Sequence, residues 1–335
     1  MTIEAKIKLT STELGTLWMC YQTISAAIIT CDLFKDKVID KDAKDILTSY
    51  VNERKYLVNE ITNIFNNAKA VIPMGFGEQD VVRDVPPLFD DIFCITFLRQ
   101  ITKLHLGHAA VFSAISYMKE VNDTLKLKYD VSNKYYMTTT NYLLEKGVLT
   151  RPPYVTMPKQ VEFIEDKNYM SGFNILSDKR SLNTIEVGYI NEAIECNIFN
   201  MQLLTGFAQV AKEDEVKKYF IEGKEISKNV ITELSNVLLQ SDIQPPSASG
   251  KATDSTQSPF SDKLMMYTNS LTAITSLGFS GLGTSFSMRN DLPAKLALIT
   301  KDTFQYSKKG AKIMIAHKWM EEPPQMEDRN QLTKQ

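Results

Sequence analysis

The chain has 335 residues, long for one simple core and sufficient for two domains of about 150 residues each. Its composition, 43% hydrophobic and 23% charged, is that of an ordinary globular protein. With 38 basic against 40 acidic residues and no run of like charge, it lacks the concentrated basic face that nucleic acid binding needs.

The first predicted helix opens at Thr10-Ser11-Thr12-Glu13, a helix-start pattern with a hydroxyl cap. Its apolar positions Leu14, Trp18, Tyr21, Ile24, Ile28 and Cys31 step by three and four, which is helical spacing. Ile46, Tyr50, Leu57, Ile61 and Ile64 predict a second helix that closes before Pro73. A loop with Gly75, Gly77, Pro86 and Pro87 follows, then a third helix through Phe93, Phe97, Leu104, Val111, Ile115 and Met118. The fourth runs from about Asp123 to Lys146 and stops at Gly147, with Pro152 and Pro153 beyond. Residues 150–181 form a connector, with a short helix expected through Phe163. Val187, Ile190, Ile194, Met201 and Leu204 line a fifth helix; Phe220, Val230, Leu234 and Val237 line a sixth. After a loop rich in Ser, Pro and Gly from Pro245 to Pro259, two more helices occupy roughly 260–288 and 291–318.

The second set of four repeats the first. Leu9-Thr10-Ser11-Thr12-Glu13-Leu14-Gly15 recurs as Leu182-Asn183-Thr184-Ile185-Glu186-Val187-Gly188, an offset of 173 that also places Pro73 on Pro246. Beyond the long loop the offset is 171, placing Phe89 on Phe260, Asp91 on Asp262 and Gly107 on Gly278. In each half the connections are short, long, short, which is the loop pattern of a four-helix bundle with one crossover. The expectation is an all-α protein of two tandem ferritin-like four-helix bundles related by internal duplication: residues 1–150, a connector 151–181, and residues 182–335 with a short tail.

Between Lys263 and Arg289 there are 25 residues without a charge, long enough to span a bilayer. Nine of them are Ser or Thr, and the aligned helix carries Arg99, Lys103, His105 and His108, so a buried helix and no membrane span is expected. The first residues, with Glu4, Lys6 and Lys8, form no apolar signal core. Cys20, Cys31, Cys94 and Cys196 have no paired metal-type spacing, and Cys20 and Cys31 lie about 16 Å apart on one helix, too far to bridge. These features fit a reducing, cytoplasmic setting.

A di-metal centre in such a bundle needs a Glu-x-x-His pair on two helices. The three histidines are preceded at that spacing by Thr102, His105 and Met314, so the standard centre is absent and no catalytic, cofactor or metal residue is assigned. An irregular metal or redox site around Glu53, His105 and His108 is the alternative; the second half reads Ile226, Ser276 and Phe279 there. Gly278-Phe279-Ser280-Gly281-Leu282 fails the nucleophile-elbow pattern at its last position. The glycines there, and Gly107, Ala109, Ala110, Ser113 and Ala114 in the first half, predict instead a tight helix seam, within a bundle or between bundles or molecules. A small apolar ligand between helices, near Met265 and Met266, is a further option. Tyr135, Tyr136 and Tyr142 are expected to divide between core and rim, and Lys212-Glu213-Asp214-Glu215 to be a solvated turn.

Three segments carry a family resemblance: Leu143-Leu144-Glu145-Lys146-Gly147-Val148-Leu149-Thr150-Arg151-Pro152-Pro153-Tyr154, Ser258-Pro259-Phe260-Ser261-Asp262-Lys263-Leu264-Met265-Met266, and Glu322-Pro323-Pro324-Gln325. With them the chain, from about Leu9 to Arg329, resembles an uncharacterised family of tandem ferritin-like proteins of spore-forming bacteria, distantly similar to the spore coat protein F group. The resemblance implies the fold, a bacterial origin and a sporulation context, and it transfers no functional residue. The overall expectation is a non-enzymatic structural or interaction protein, with protein partners or self-association.

Overall fold

The computed structural model describes residues 7–173, 179–247 and 250–333. Glu4 and Lys6, part of the connector, and two residues of the Pro245–Pro259 loop lie outside the described residues. Eight long helices are present among those described: α1 (Ser11–Lys37), α2 (Lys41–Asn67), α3 (Asp91–Ala114), α4 (Lys119–Glu145), α5 (Thr184–Val210), α6 (Asp214–Leu239), α7 (Asp262–Phe286) and α8 (Asp291–Ala316). The helix expected through Phe163 does not form. Residues 151–166 are exposed and non-helical, Phe163 is 84% exposed, and only Lys167–Met170 makes a 3-10 turn. Two prolines at the start, and no neighbour to bury an apolar face, leave that segment nothing to stabilise a helix.

The repeated segment at the start of each half is a polar staple. Thr10 and Glu13 form a capping box on α1, and Asn183 and Glu186 form the same box on α5. The other carboxylate oxygen of Glu13 accepts the backbone N–H groups of Tyr117 and Met118 at 2.7 and 2.6 Å. Glu186 likewise accepts those of Met288 and Arg289 at 3.1 and 3.0 Å. Both carboxylates are buried, so each start is tied to the turn between the last two helices of its half. At the opposite end Asp91 accepts from Ile39 and Asp40, as Asp262 does from Lys212 and Glu213.

These ties fix the topology. Because α1 starts beside the α3–α4 turn and α3 starts beside the α1–α2 turn, α2 and α3 run parallel. The loop 68–90 therefore travels the length of the bundle, and 240–261 does the same in the second half. That is the single-crossover arrangement read from the loop lengths. Helix ends are duplicated too: Lys69, Asp242, Gly147 and Lys318 all adopt positive φ just past a helix, at 54°, 56°, 68° and 58°. The residue after each donates back to a carbonyl in the last turn, as Trp319 N–H does to Met314 O at 2.9 Å. The chargeless segment is α7, packed between α5 and α8. The helix apolar and long enough to cross a membrane is α1, and 78% of its apolar window is buried against its neighbours.

Candidate functional site

The two bundles join about a pseudo-two-fold axis. Val81 bridges Phe260 and Phe89 bridges Ala252, each antiparallel; at the 171 offset these are one contact made twice. Where they cross, Phe34, Phe89, Phe207 and Phe260 pack edge to face, with centroids 6.0–6.2 Å apart. One apolar core runs through the junction from both halves. Exit segments complete it reciprocally: Thr150 Oγ1 donates to Ser247 O at 2.9 Å, and Glu321, its equivalent, accepts Met74 and Gly75 N–H at 2.8 Å.

The two flanks of this junction are equivalent by position and opposite in chemistry. On one, Lys103 of α3 meets Glu192 of α5 at 2.7 Å and Glu195 at 3.3 Å, and Arg99 also pairs with Glu195. The lysine and arginine are nearly buried, and the two carboxylates hold their charged forms despite burial, which alone would lower both cations. On the other flank the same four places are Ser270, Ile274, Met19 and Gln22. No ion pair can form among these, and a cavity of about 310 Å³ opens between α1, α7, α8 and the exit segment Trp319–Pro323. Trp18, Met266, Tyr267, Leu271, Met314 and Trp319 are among its apolar walls, and Gln22, Thr23, His108, Ser270, Ser307 and Glu321 are its polar points. Both tryptophans of the chain face it.

Behind His108, the core of the first bundle holds a second unusual group. Arg54 of α2 is fully buried; its Nη2 donates to Ser132 Oγ at 2.6 Å, and Nε and Nη1 have no partner. Lys128 of α4 is 1% exposed, with Nζ 3.3 Å from Cys20 Sγ and above the Phe112 ring. His105 of α3 is fully buried, and neither ring nitrogen has a partner. Burial, followed by Arg54, Lys128 and His108, pushes His105 well below the usual histidine range. Burial and Lys128 push His108 down to about 4. Burial likewise lowers the Lys128 ammonium.

The residues considered for an irregular metal site do not converge. Glu53 is on the bundle rim, bonded to Lys134 and to the Tyr135 hydroxyl. His105 faces the Arg54 and Lys128 cations and His108 faces Lys128, a setting that repels a metal ion, and no group of three metal-type side chains is found among the described residues. Met266 lines the cavity, while Met265 is buried in the common core. Tyr135 and Tyr142 are core residues and Tyr136 sits at the rim under Arg99. The expected small-residue seam is only partly internal: Ala109 and Gly283 are buried, and most of the other small residues are not. Gly107, Ala110, Ala114, Gly278 and Gly281 are exposed, and a Cβ on any of the three glycines would meet nothing. These glycines lie on the solvent face of α3 and α7, and of the α7 glycines only Gly283, against Tyr189 and Leu296, needs to be small.

Sequence reasoning passed over Arg54 and Lys128. The signal was present in their spacing. Tyr50, Arg54, Leu57 and Ile61 step by four, three and four, and Leu125, Lys128, Ser132 and Tyr135 by three, four and three. Each cation thus occupies a core position of its helix.

No curated protein matches this chain. Among solved structures, it is similar to a candidate spore coat protein from Bacillus halodurans C-125, at 14% identity and a TM-score of 0.43, covering 46% of this chain and 99% of that one. A model of the family described as "Protein of unknown function (DUF3231)" matches residues 1–161 and again 170–332. The chain belongs to the DUF3231 family, carrying its unit twice in tandem.

Proposed function

We propose that this protein is a non-enzymatic binding protein whose site is the junction cavity and whose ligand is a small apolar molecule. The observation that carries the reading is the contrast between equivalent flanks: one is filled by Arg99, Lys103, Glu192 and Glu195, and the other is hollow and apolar. The duplicated fold can close this junction with ion pairs, so the open flank is not an unavoidable defect of the architecture. A volume of about 310 Å³, mostly apolar walls and a few polar points between two bundles are the marks of a small-molecule pocket. A cytoplasmic, spore-associated setting with protein partners belongs to the same proposal and rests on the family resemblance. Expression confined to sporulation would support that setting, and constant expression through growth would remove it.

The test is a titration with N-phenyl-1-naphthylamine while exciting Trp18 and Trp319. Saturable energy transfer at one probe per chain is expected, and Ser270→Phe should abolish it by filling the cavity. Binding that never saturates, or that is unchanged in Ser270→Phe, would refute the reading.

A further inference from the structure

We propose that the core of the first bundle is a binding site for one small monovalent anion, held by Arg54 with Lys128 and His105 beside it. This site is distinct from the junction cavity and does not depend on what fills that cavity.

The argument begins with charge. A guanidinium carries its proton wherever it is placed. Arg54 is 0% exposed, and its one hydrogen bond goes to Ser132 Oγ, whose own proton is committed to Lys128 O at 2.5 Å. A hydroxyl dipole does not balance a buried unit charge, and burying such a charge without a partner costs several kcal/mol even after relaxation. No carboxylate bonds to Arg54 or Lys128 among the described residues. Glu53, its sequence neighbour, is turned outward to Lys134 and Tyr135. The groups converging here are mostly donors: two free N–H positions of Arg54, the Lys128 ammonium and the one N–H of the neutral His105 ring, with the unpartnered Tyr50 hydroxyl beside them. A metal ion is repelled by such a set, and a neutral ligand would leave the guanidinium uncompensated. An anion satisfies both the charge and the donors.

The second bundle shows that the fold does not require these cations. Arg54, Lys128 and His105 are replaced by Ser227, Ile299 and Ser276, all buried, and the surrounding core is Ile190, Ile194, Val230 and Leu234. At these three places the same helices pack without a charged side chain. The first bundle therefore carries an energetic cost that only its own site explains. Tyr50 and Phe112 lie directly against the two cations, which favours a halide over a bulky oxyanion. His108, one turn from His105, is only partly buried and reaches the wall of the junction cavity, giving the ion a short path in.

Bromide is the probe. Crystals of the full chain soaked in sodium bromide should show one anomalous peak in the core of the first bundle, touching Arg54 and His105, with none at Ser227 and Ser276. In solution, Tm should be higher in sodium chloride than in sodium gluconate of equal ionic strength and pH, by about 2 °C or more. Arg54→Met should remove both the peak and the chloride dependence. If that variant does not fold, Arg54→Ser with Lys128→Ile copies the apolar solution of the second bundle and should give the same result. An empty core in wild-type crystals, or a peak that persists in the variant, overturns the proposal.

Discussion

Phe89 and Phe260 stand 171 residues apart at equivalent positions, and each lies against both Phe34 and Phe207. The two halves thus share their most aromatic packing instead of owning it separately. Phe89→Ala should destabilise by about 3–5 kcal/mol and Phe260→Ala similarly. The double variant should cost measurably more or less than the sum, because the pair shares partners. Denaturant unfolding would check this with Trp18 in one half and Trp319 in the other. A single transition is expected, and two resolved transitions in the wild type would show that the halves do not fold as one unit.

Glu186 provides a pH signature. Burial alone would raise its carboxyl, but the Arg180 hydrogen bonds and the backbone N–H groups of Asn183 and Arg289 outweigh that and bring it down to about 2. A depressed carboxyl stabilises the fold above its unfolded value and loses that contribution as pH falls through its folded value. Relative to the unfolded chain the shift corresponds to about 3 kcal/mol at neutral pH. Glu186→Gln should lose stability of that order at pH 7, and the gap to wild type should close between about pH 4.5 and pH 2. A gap that is flat across that window would contradict the staple.

The helix ends offer a stabilising change. Gly147 adopts φ 68° at the end of α4, and Lys318 adopts 58° at the equivalent place after α8. A side chain in that region costs about 1 kcal/mol relative to glycine. Lys318→Gly should therefore raise stability by up to about 1 kcal/mol, while Gly147→Ala lowers it by a similar amount. Thermal unfolding of both variants would read the opposite signs.

Gly223 and Gly310 make room for the stacked pair Tyr219–Tyr306, whose rings lie 4.2 Å apart with each hydroxyl bonded to the other's backbone carbonyl. A Cβ at either glycine would come within 2.2 Å of the facing hydroxyl. Gly223→Ala and Gly310→Ala should each cost about 1–3 kcal/mol by overpacking. Neutral behaviour in urea unfolding would show that the stack can shift.

The bundles and their ends were legible because they rest on local chemistry. Thr10–Glu13 and Asn183–Glu186 are short-range caps, Gly147 is a local stop, and helical spacing needs one face only. The partners of that chemistry were not legible. That Glu13 also holds the α3–α4 turn, or that Phe89 packs on Phe207, depends on segments far apart in the chain. Small residues fit a close helix crossing and a solvent face equally well, so Gly107 and Gly278 pointed to a seam although they lie on the solvent face. Arg54 and Lys128 were hidden for the opposite reason: a lone charge on an apolar stripe is ordinarily a rim residue that reaches water. The hollow flank was visible in the aligned halves, as Arg99 and Lys103 against Ser270 and Ile274. Only the structure shows that Glu192 and Glu195, against Met19 and Gln22, face them.

The central claim is that the junction cavity exists to be occupied, and transplanting the closed flank onto the open one tests it most directly. Met19→Glu, Gln22→Glu, Ser270→Arg and Ile274→Lys together copy Glu192, Glu195, Arg99 and Lys103. Titration of this folded variant with N-phenyl-1-naphthylamine should show no saturable binding, while the wild type binds one molecule per chain. Equal binding by the two proteins would contradict the account.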